Sequence, residues 1–114
     1  MVRDHGFAQG LGQALCELSV HDAQGQLLTA SFMDYAMPRA TDLPFIRFTT
    51  EPVPSTANPL GMKGCGEAGT VGALAALANA MRDALAPAGV TAVDMPFTPA
   101  RVWTWLTEVR AAAD

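Results

Sequence analysis

The stretch from Pro52 to Gly69 keeps regular secondary structure out of the middle of the chain. Pro52, Pro54 and Pro59 fix φ and remove backbone donors, and Ser55, Thr56 and Asn58 stand between them. Gly61, Gly64, Gly66 and Gly69 then put four glycines into nine residues. The fold must therefore be assembled from the segments on either side. Before the break, Phe7, Ala8, Leu11, Ala14, Leu15 and Leu18 recur at helical spacing with Gln9, Gln13 and Glu17 opposite, which predicts an amphipathic helix over residues 7–18. Gly10 and Gly12 each cost such a helix about 1 kcal/mol, so they point to close approach by another backbone or a ligand. Leu18–His21 and Gln26–Phe32 flank Asp22-Ala23-Gln24-Gly25, a turn sequence, and read as a β-hairpin. The alternation from Phe45 to Val53 reads as a third strand.

Beyond the break, Val71, Leu74, Ala75, Ala78, Met81 and Leu85 form one stripe of a long helix after Thr70 that stops before Pro87 and Gly89. A short strand over Val90–Met95 and a last helix follow. Thr98 and Pro99 supply the N-cap and first position of that helix, which carries Val102, Trp103, Leu106 and Val109, while Ala111–Asp114 is expected to fray. The expected fold class is α+β, a small antiparallel sheet packed with about three helices in one domain over residues 1–114.

Half of the 114 residues are hydrophobic and 16% are charged, which suffices for a core and excludes intrinsic disorder. The mean hydropathy of +0.19 is high for so small a body and suggests apolar surface meant for another polypeptide, a homo-oligomer included. A net charge of −4, with basic residues scattered singly from Arg3 to Arg110, argues against a nucleic-acid binder. No apolar run approaches the roughly 20 residues of a membrane span, and Met1-Val2-Arg3-Asp4-His5 lacks signal-peptide form, so the cytoplasm is the expected location. Cys16 and Cys65 lie far apart and read as reduced thiols. His5 and His21 fall on different elements without a third partner, so no metal site is expected. Trp103 and Trp105, two apart on a helix, face different sides: one reads as core, the other as a contact with a neighbouring chain. Met33, Met37, Met62, Met81 and Met95 read as packing residues.

The most informative segment is Lys63–Thr70, a glycine-rich turn running into a helix start with Glu67 at the junction. The glycines would let backbone approach a bulky polar cofactor, helix N–H groups would face an anion, and Glu67 would stand at the pocket edge as a base. Alternatively, Glu67 merely complements the helix dipole and the glycines turn a corner. A Walker pattern is absent, and the proline-broken lead-in does not suit a Rossmann strand even though Gly69 falls at the right spacing after Gly66. Cys65 has no histidine placed to activate it and reads as a small loop residue rather than a nucleophile.

The run Asn58-Pro59-Leu60-Gly61-Met62-Lys63-Gly64-Cys65-Gly66-Glu67-Ala68-Gly69 resembles the C-terminal active-site signature of the molybdenum hydroxylases, the large subunits of xanthine dehydrogenase, aldehyde oxidase and aerobic carbon monoxide dehydrogenase. Further pieces agree in order: Ala8-Gln9-Gly10-Leu11-Gly12-Gln13-Ala14-Leu15, Gly25-Gln26-Leu27-Leu28, Ser31-Phe32-Met33-Asp34-Tyr35-Ala36-Met37-Pro38-Arg39-Ala40, Asp94-Met95-Pro96 and Thr98-Pro99-Ala100-Arg101-Val102-Trp103. The resemblance covers essentially the whole chain but only the last stretch of a much longer subunit. It implies the C-terminal portion of a molybdopterin-binding domain, with Glu67 as the catalytic glutamate that deprotonates a hydroxyl on molybdenum so that the oxygen attacks an electron-poor carbon. Hydride would pass to a sulfido group, and electrons would leave through iron–sulfur and FAD subunits. Lys63, Gly64, Cys65, Gly66, Ala68 and Gly69 would line the cofactor side. The family's Gln-Val pair before the first helix is missing from Met1–His5, where Val2 stands at or beside its place, and the upstream cofactor loops are absent. Molybdopterin is accordingly expected only after assembly with the remaining part of a large subunit, with none on the isolated chain, which is expected to be inactive alone. The alternative is a cofactor-free structural or protein-interaction domain of the same descent.

Overall fold

The computed structural model describes residues 2–113, and side chains from His5 onward. Three α-helices carry it: α1 (Val2–Leu15), α2 (Ala68–Leu85) and α3 (Pro99–Ala113). Among the described residues there is no strand and no sheet, only one isolated antiparallel bridge between His21 and Leu27. The α+β expectation is therefore corrected to an all-helical arrangement linked by long open segments. The hairpin turn itself forms: Asp22 Oδ1 accepts the amides of Gln24 and Gln26, both at 2.9 Å, and Gly25 takes φ +83°. Beyond the bond from Leu28 N–H to the Val20 carbonyl (2.8 Å) the two arms do not continue as a ladder. Phe45–Val53 and Val90–Met95 likewise carry no ladder. Alternation becomes a ladder only beside a partner strand, and no ladder is formed by these segments among the described residues.

The helix boundaries also move. α1 begins at Val2 and ends at Leu15, where Cys16 and Glu17 both donate backbone bonds to the Gly12 carbonyl (3.0 and 2.8 Å). α2 starts at Ala68, two residues before Thr70, and gives way to a 3₁₀ turn at Ala86–Ala88. Gly89, at φ +85°, then reverses the chain in the left-handed region that favours glycine. The amide of Val90 bonds the Leu85 carbonyl (3.3 Å), and both residues are buried. α3 runs helical to Ala113, and Asp114, the last residue of the tail expected to fray, lies outside the described residues. At its start the Thr98 carbonyl accepts Val102 N–H (3.0 Å), while the Thr98 hydroxyl lies 3.4 Å from Arg101 N, a weak cap.

α1 and α2 pack together through their smallest residues. A Cβ built on Gly10 would stand 2.8 Å from Ala73 Cβ and 2.9 Å from the Thr70 carbonyl oxygen. At Gly6 it would stand 3.2 Å from Thr70 N. The close approach expected of Gly10 is thus an interhelical crossing. The buried core is slight: Leu11, Ala14, Ala73, Leu85, Val90 and Phe97. Phe97 joins α1 to the lead-in of α3 through its N–H bond to the Ala14 carbonyl (2.6 Å) and meets Trp105 edge-on at 6.4 Å. Arg101 bonds the Pro96 carbonyl and Asp94 and lies 5.3 Å from the Trp105 ring centre. Trp103, on another side of α3, is 68% exposed.

Many of the remaining apolar side chains face outward. Met33 and Phe45 are each 96% exposed, and Phe32, Val53, Leu60 and Met62 are also exposed. The radius of gyration is 18.2 Å, where a compact chain of this length would have about 13 Å. The accessible surface is 8848 Å², against about 6,000 Å² for a compact monomer of 11.9 kDa. Burial inside one polypeptide of this length accounts for little of the apolar content. Among the described residues no helix is long and apolar enough to cross a membrane.

Candidate active-site loop

The lead-in to the glycine loop holds itself in shape. Asn58 Oδ1 accepts Met62 N–H and Asn58 Nδ2 donates to the Met62 carbonyl, both at 2.9 Å. Gly61 N–H reaches the Asn58 carbonyl (3.1 Å) and the Gly61 carbonyl accepts Ser55 N–H (3.0 Å). Gly61 takes φ +64°, and a Cβ there would meet Pro54 Cβ at 2.9 Å, so this turn requires glycine on both counts. The Asn58 clamp was not foreseen from sequence, although an Asn before Pro in a breaker-rich stretch is a known turn signal.

After this turn the chain runs exposed from Lys63 to Ala68. Glu67 occupies the N-cap position of α2 (φ −99°, ψ −2°), and its carbonyl accepts Val71 N–H at 3.1 Å. Its carboxylate makes no capping hydrogen bond. The Ala68 amide bonds the Cys65 carbonyl at 3.3 Å. A Cβ on Gly64, Gly66 or Gly72 would meet nothing within 4 Å. Gly64, Cys65, Gly66, Glu67, Ala68, Val71 and Gly72 line an open depression of about 680 Å³. Five of the seven predicted site residues thereby share one surface; Lys63 and Gly69 are adjacent in sequence but do not line it. Cys65, Ala68 and Gly69 also line a second, mainly apolar groove of about 480 Å³ with Phe7, Ile46 and residues 48–52.

Thr70 fixes this surface to α1. Its hydroxyl donates to the Gly6 carbonyl at 2.8 Å, three residues after Glu67 and across 64 positions of sequence. Near the C-terminal end of α1, Tyr35 donates its hydroxyl to Glu17 Oε2 at 2.7 Å, tying the 31–38 turn to the helix. The two cysteines differ. Burial, with Glu17 and Asp42 adding like charge, pushes the Cys16 thiol up, whereas Cys65 is exposed. Since the thiolate is the reactive form, brief alkylation with iodoacetamide near neutral pH should label Cys65 well before Cys16, as read by peptide mass analysis. Equal labelling would contradict the described burial.

Residues 5–44 match the family model described as a molybdopterin cofactor-binding domain. The chain is 43% identical over 97 residues to the 6-hydroxypseudooxynicotine dehydrogenase complex subunit gamma of Paenarthrobacter nicotinovorans, covering 84% of this chain and 12% of that protein. It is 39% identical over 103 residues to the carbon monoxide dehydrogenase large chain of Hydrogenophaga pseudoflava, covering 90% of this chain and 13% of that one. The chain belongs to the molybdenum hydroxylase family. Its backbone follows a solved quinoline 2-oxidoreductase from Pseudomonas putida 86 with a TM-score of 0.88 and 39% identity, over 94% of this chain and 14% of the other. For a Cu,Mo-CO dehydrogenase the TM-score is 0.90 at 30% identity, over 96% and 14%. The chain thus spans only 12–14% of these molybdenum hydroxylase relatives.

Proposed function

We propose that the chain supplies the glutamate-bearing wall of a molybdenum cofactor pocket whose other walls belong to the rest of a molybdenum hydroxylase large subunit. The observation that carries this reading is the Glu67 loop: an uncapped carboxylate at a helix start, between glycines whose Cβ directions open into unfilled space. These residues fit one side of a large polar group. Gly64, Cys65, Gly66, Ala68 and Gly69 would hold it by backbone contact, the first N–H groups of α2 would face its anionic part, and Lys63 would add positive charge nearby. When bound, the cofactor supplies two-electron redox chemistry.

The chain's own contribution is proton transfer: a Glu67 carboxylate oxygen accepts a proton as the substrate is oxidised. The Thr70–Gly6 bond and the α1–α2 crossing hold the start of α2, from which that side chain projects, against α1. With its surface so poorly covered, the isolated chain is not expected to retain molybdenum or turn over. Iron–sulfur and FAD subunits would take the electrons, and the complex would work in the cytoplasm.

The test is metal analysis of two proteins: the chain alone, and the quinoline 2-oxidoreductase chain carrying this sequence in place of its matching segment. Molybdenum is expected in the graft at the parental ratio and absent from the chain alone; a graft that folds but never holds molybdenum would overturn the proposal. Gly64→Ala sharpens it. Because its Cβ meets nothing within 4 Å, thermal unfolding of the chain alone should be unchanged, whereas the graft should lose molybdenum. An unaffected graft would remove Gly64 from the cofactor wall.

A further inference from the structure

We infer that the turn over residues 31–38 is a rigid anchor whose Phe32 and Met33 side chains seat in an apolar pocket on the remainder of the large subunit. This deepens the proposed function and rests on its reading of the chain as one wall of a larger body. The segment Ser31–Ala40 is one of the pieces that resemble the family, yet the Glu67 site makes no use of it. Its shape is held from both ends. The Ser31 hydroxyl donates to Asp34 Oδ2 (2.7 Å) and accepts Met33 N–H (3.2 Å), while the Ser31 carbonyl accepts the amides of Asp34 and Tyr35 (3.0 and 2.8 Å). Tyr35 then ties the turn to Glu17, and Pro38 lies so close to α1 that a Cβ on Gly12 would stand 2.8 Å from its Cγ. On this fixed frame Phe32 is 84% and Met33 96% exposed, and both face, with Met37, a common hollow of about 450 Å³. Aromatic and methionine side chains are enriched where interfaces bury surface, and a turn already held in shape loses little freedom on docking. Met33 and Met37, expected as packing residues, thus pack against a body other than this chain.

Two observations identify the partner. The backbone follows its structural relatives at TM-scores of 0.88 and 0.90 over 94% and 96% of this chain, too much for the whole of residues 31–40 to fall outside the match. The chain spans only 14% of those relatives, so the course it takes is one they hold within a far longer polypeptide. The surface in excess of a compact monomer, about 3,000 Å², exceeds the roughly 1,000–2,500 Å² that each side of an obligate interface loses. A body large enough to cover it is the missing part of the same subunit, and the most exposed apolar side chains of the turn are its natural points of attachment.

Methionine oxidation reads the assignment directly. Under dilute hydrogen peroxide, followed by peptide mass analysis, Met33 of the free chain should be oxidised readily, and in the quinoline 2-oxidoreductase graft its rate should fall by roughly tenfold or more. Phe32→Asp should leave the thermal unfolding midpoint of the free chain unchanged and lower that of the graft. Oxidation of Met33 in a folded graft at the free-chain rate would overturn the inference, and so would a graft indifferent to Phe32→Asp. A lowered midpoint in the free chain would mean that Phe32 packs within it, with the same consequence. Concentration-dependent protection of Met33 in the free chain would assign the turn to a second copy and equally overturn the inference. Should the graft not fold, exchange of residues 29–39 alone into quinoline 2-oxidoreductase supplies the same readout. That readout is independent of catalysis. If Met33 is protected but Glu67→Gln leaves turnover intact, the catalytic reading fails and the anchor stands; with Met33 open and a dead Glu67→Gln variant, the reverse holds.

Discussion

Replacing Glu67 by glutamine in the assembled quinoline 2-oxidoreductase graft is expected to lower kcat by about 10²–10⁴-fold, the usual worth of a positioned general base. Glutamine keeps the volume and hydrogen-bonding reach of the side chain but cannot take up a proton at neutral pH. Glu67 is exposed and makes no capping bond, so the fold does not depend on its carboxylate and helix α2 should be unaffected. Molybdenum content and assembly should therefore match the unsubstituted graft. A fall in kcat and kcat/KM together, with metal retained, is the signature of an interaction made in the transition state. Turnover within a few-fold of the unsubstituted graft would take Glu67 out of its assigned role.

The second large effect is expected at Gly10. Any Cβ there meets Ala73 Cβ at 2.8 Å and the Thr70 carbonyl oxygen at 2.9 Å, and the second of these is backbone, which cannot rotate away. Gly10→Leu must push α2 off α1, at a cost of about 1–3 kcal/mol. Leucine's better helix propensity returns less than about 1 kcal/mol, so the clash wins. The displacement falls on Thr70, whose hydroxyl bond to the Gly6 carbonyl ties the start of α2 to α1. Helical circular dichroism should show a lowered unfolding midpoint for Gly10→Leu, and the graft carrying it should lose turnover by misplacing Glu67. Gly72→Ala, also on α2 but with nothing within 4 Å of its Cβ, provides the contrast: the midpoint of the chain alone should not fall. Equal midpoints for Gly10→Leu and the parent would show that the two helices do not cross as described.

The helices were legible because their signals are local. The period of Val71, Leu74, Ala78, Met81 and Leu85, the stop at Pro87 and Gly89, and the Thr98-Pro99 start each act within a few residues. Ends were less so: α1 closes at Leu15 because Gly12 takes both following amides, and nothing in the hydrophobic pattern announces that. The strands failed for a different reason. Alternation at Phe45–Val53 says that the two sides of the backbone meet different surroundings, but it cannot say whether the partner strand lies within the same polypeptide. In the candidate site, Glu67 stands out in the sequence as a carboxylate at a glycine-rich helix start and by its resemblance to a known signature, and in the structure it shares a depression with Gly64, Cys65, Gly66 and Ala68. The contacts that hold it, Thr70 on Gly6 and Gly10 on Ala73, join residues more than 60 positions apart and have no local signature beyond the two glycines in a helix.

The excess hydrophobicity now has a structural form: a slight core, a long open segment beside the Glu67 loop, and apolar side chains turned outward. On this account the chain carries the base but not the body that surrounds it. The most direct test is the rate of quinoline oxidation per bound molybdenum in the quinoline 2-oxidoreductase graft. A rate within about tenfold of the parent enzyme is expected, because Glu67 and the supports that position it come from this chain. A graft with parental molybdenum content and no detectable turnover would contradict the claim that this loop can serve the cofactor.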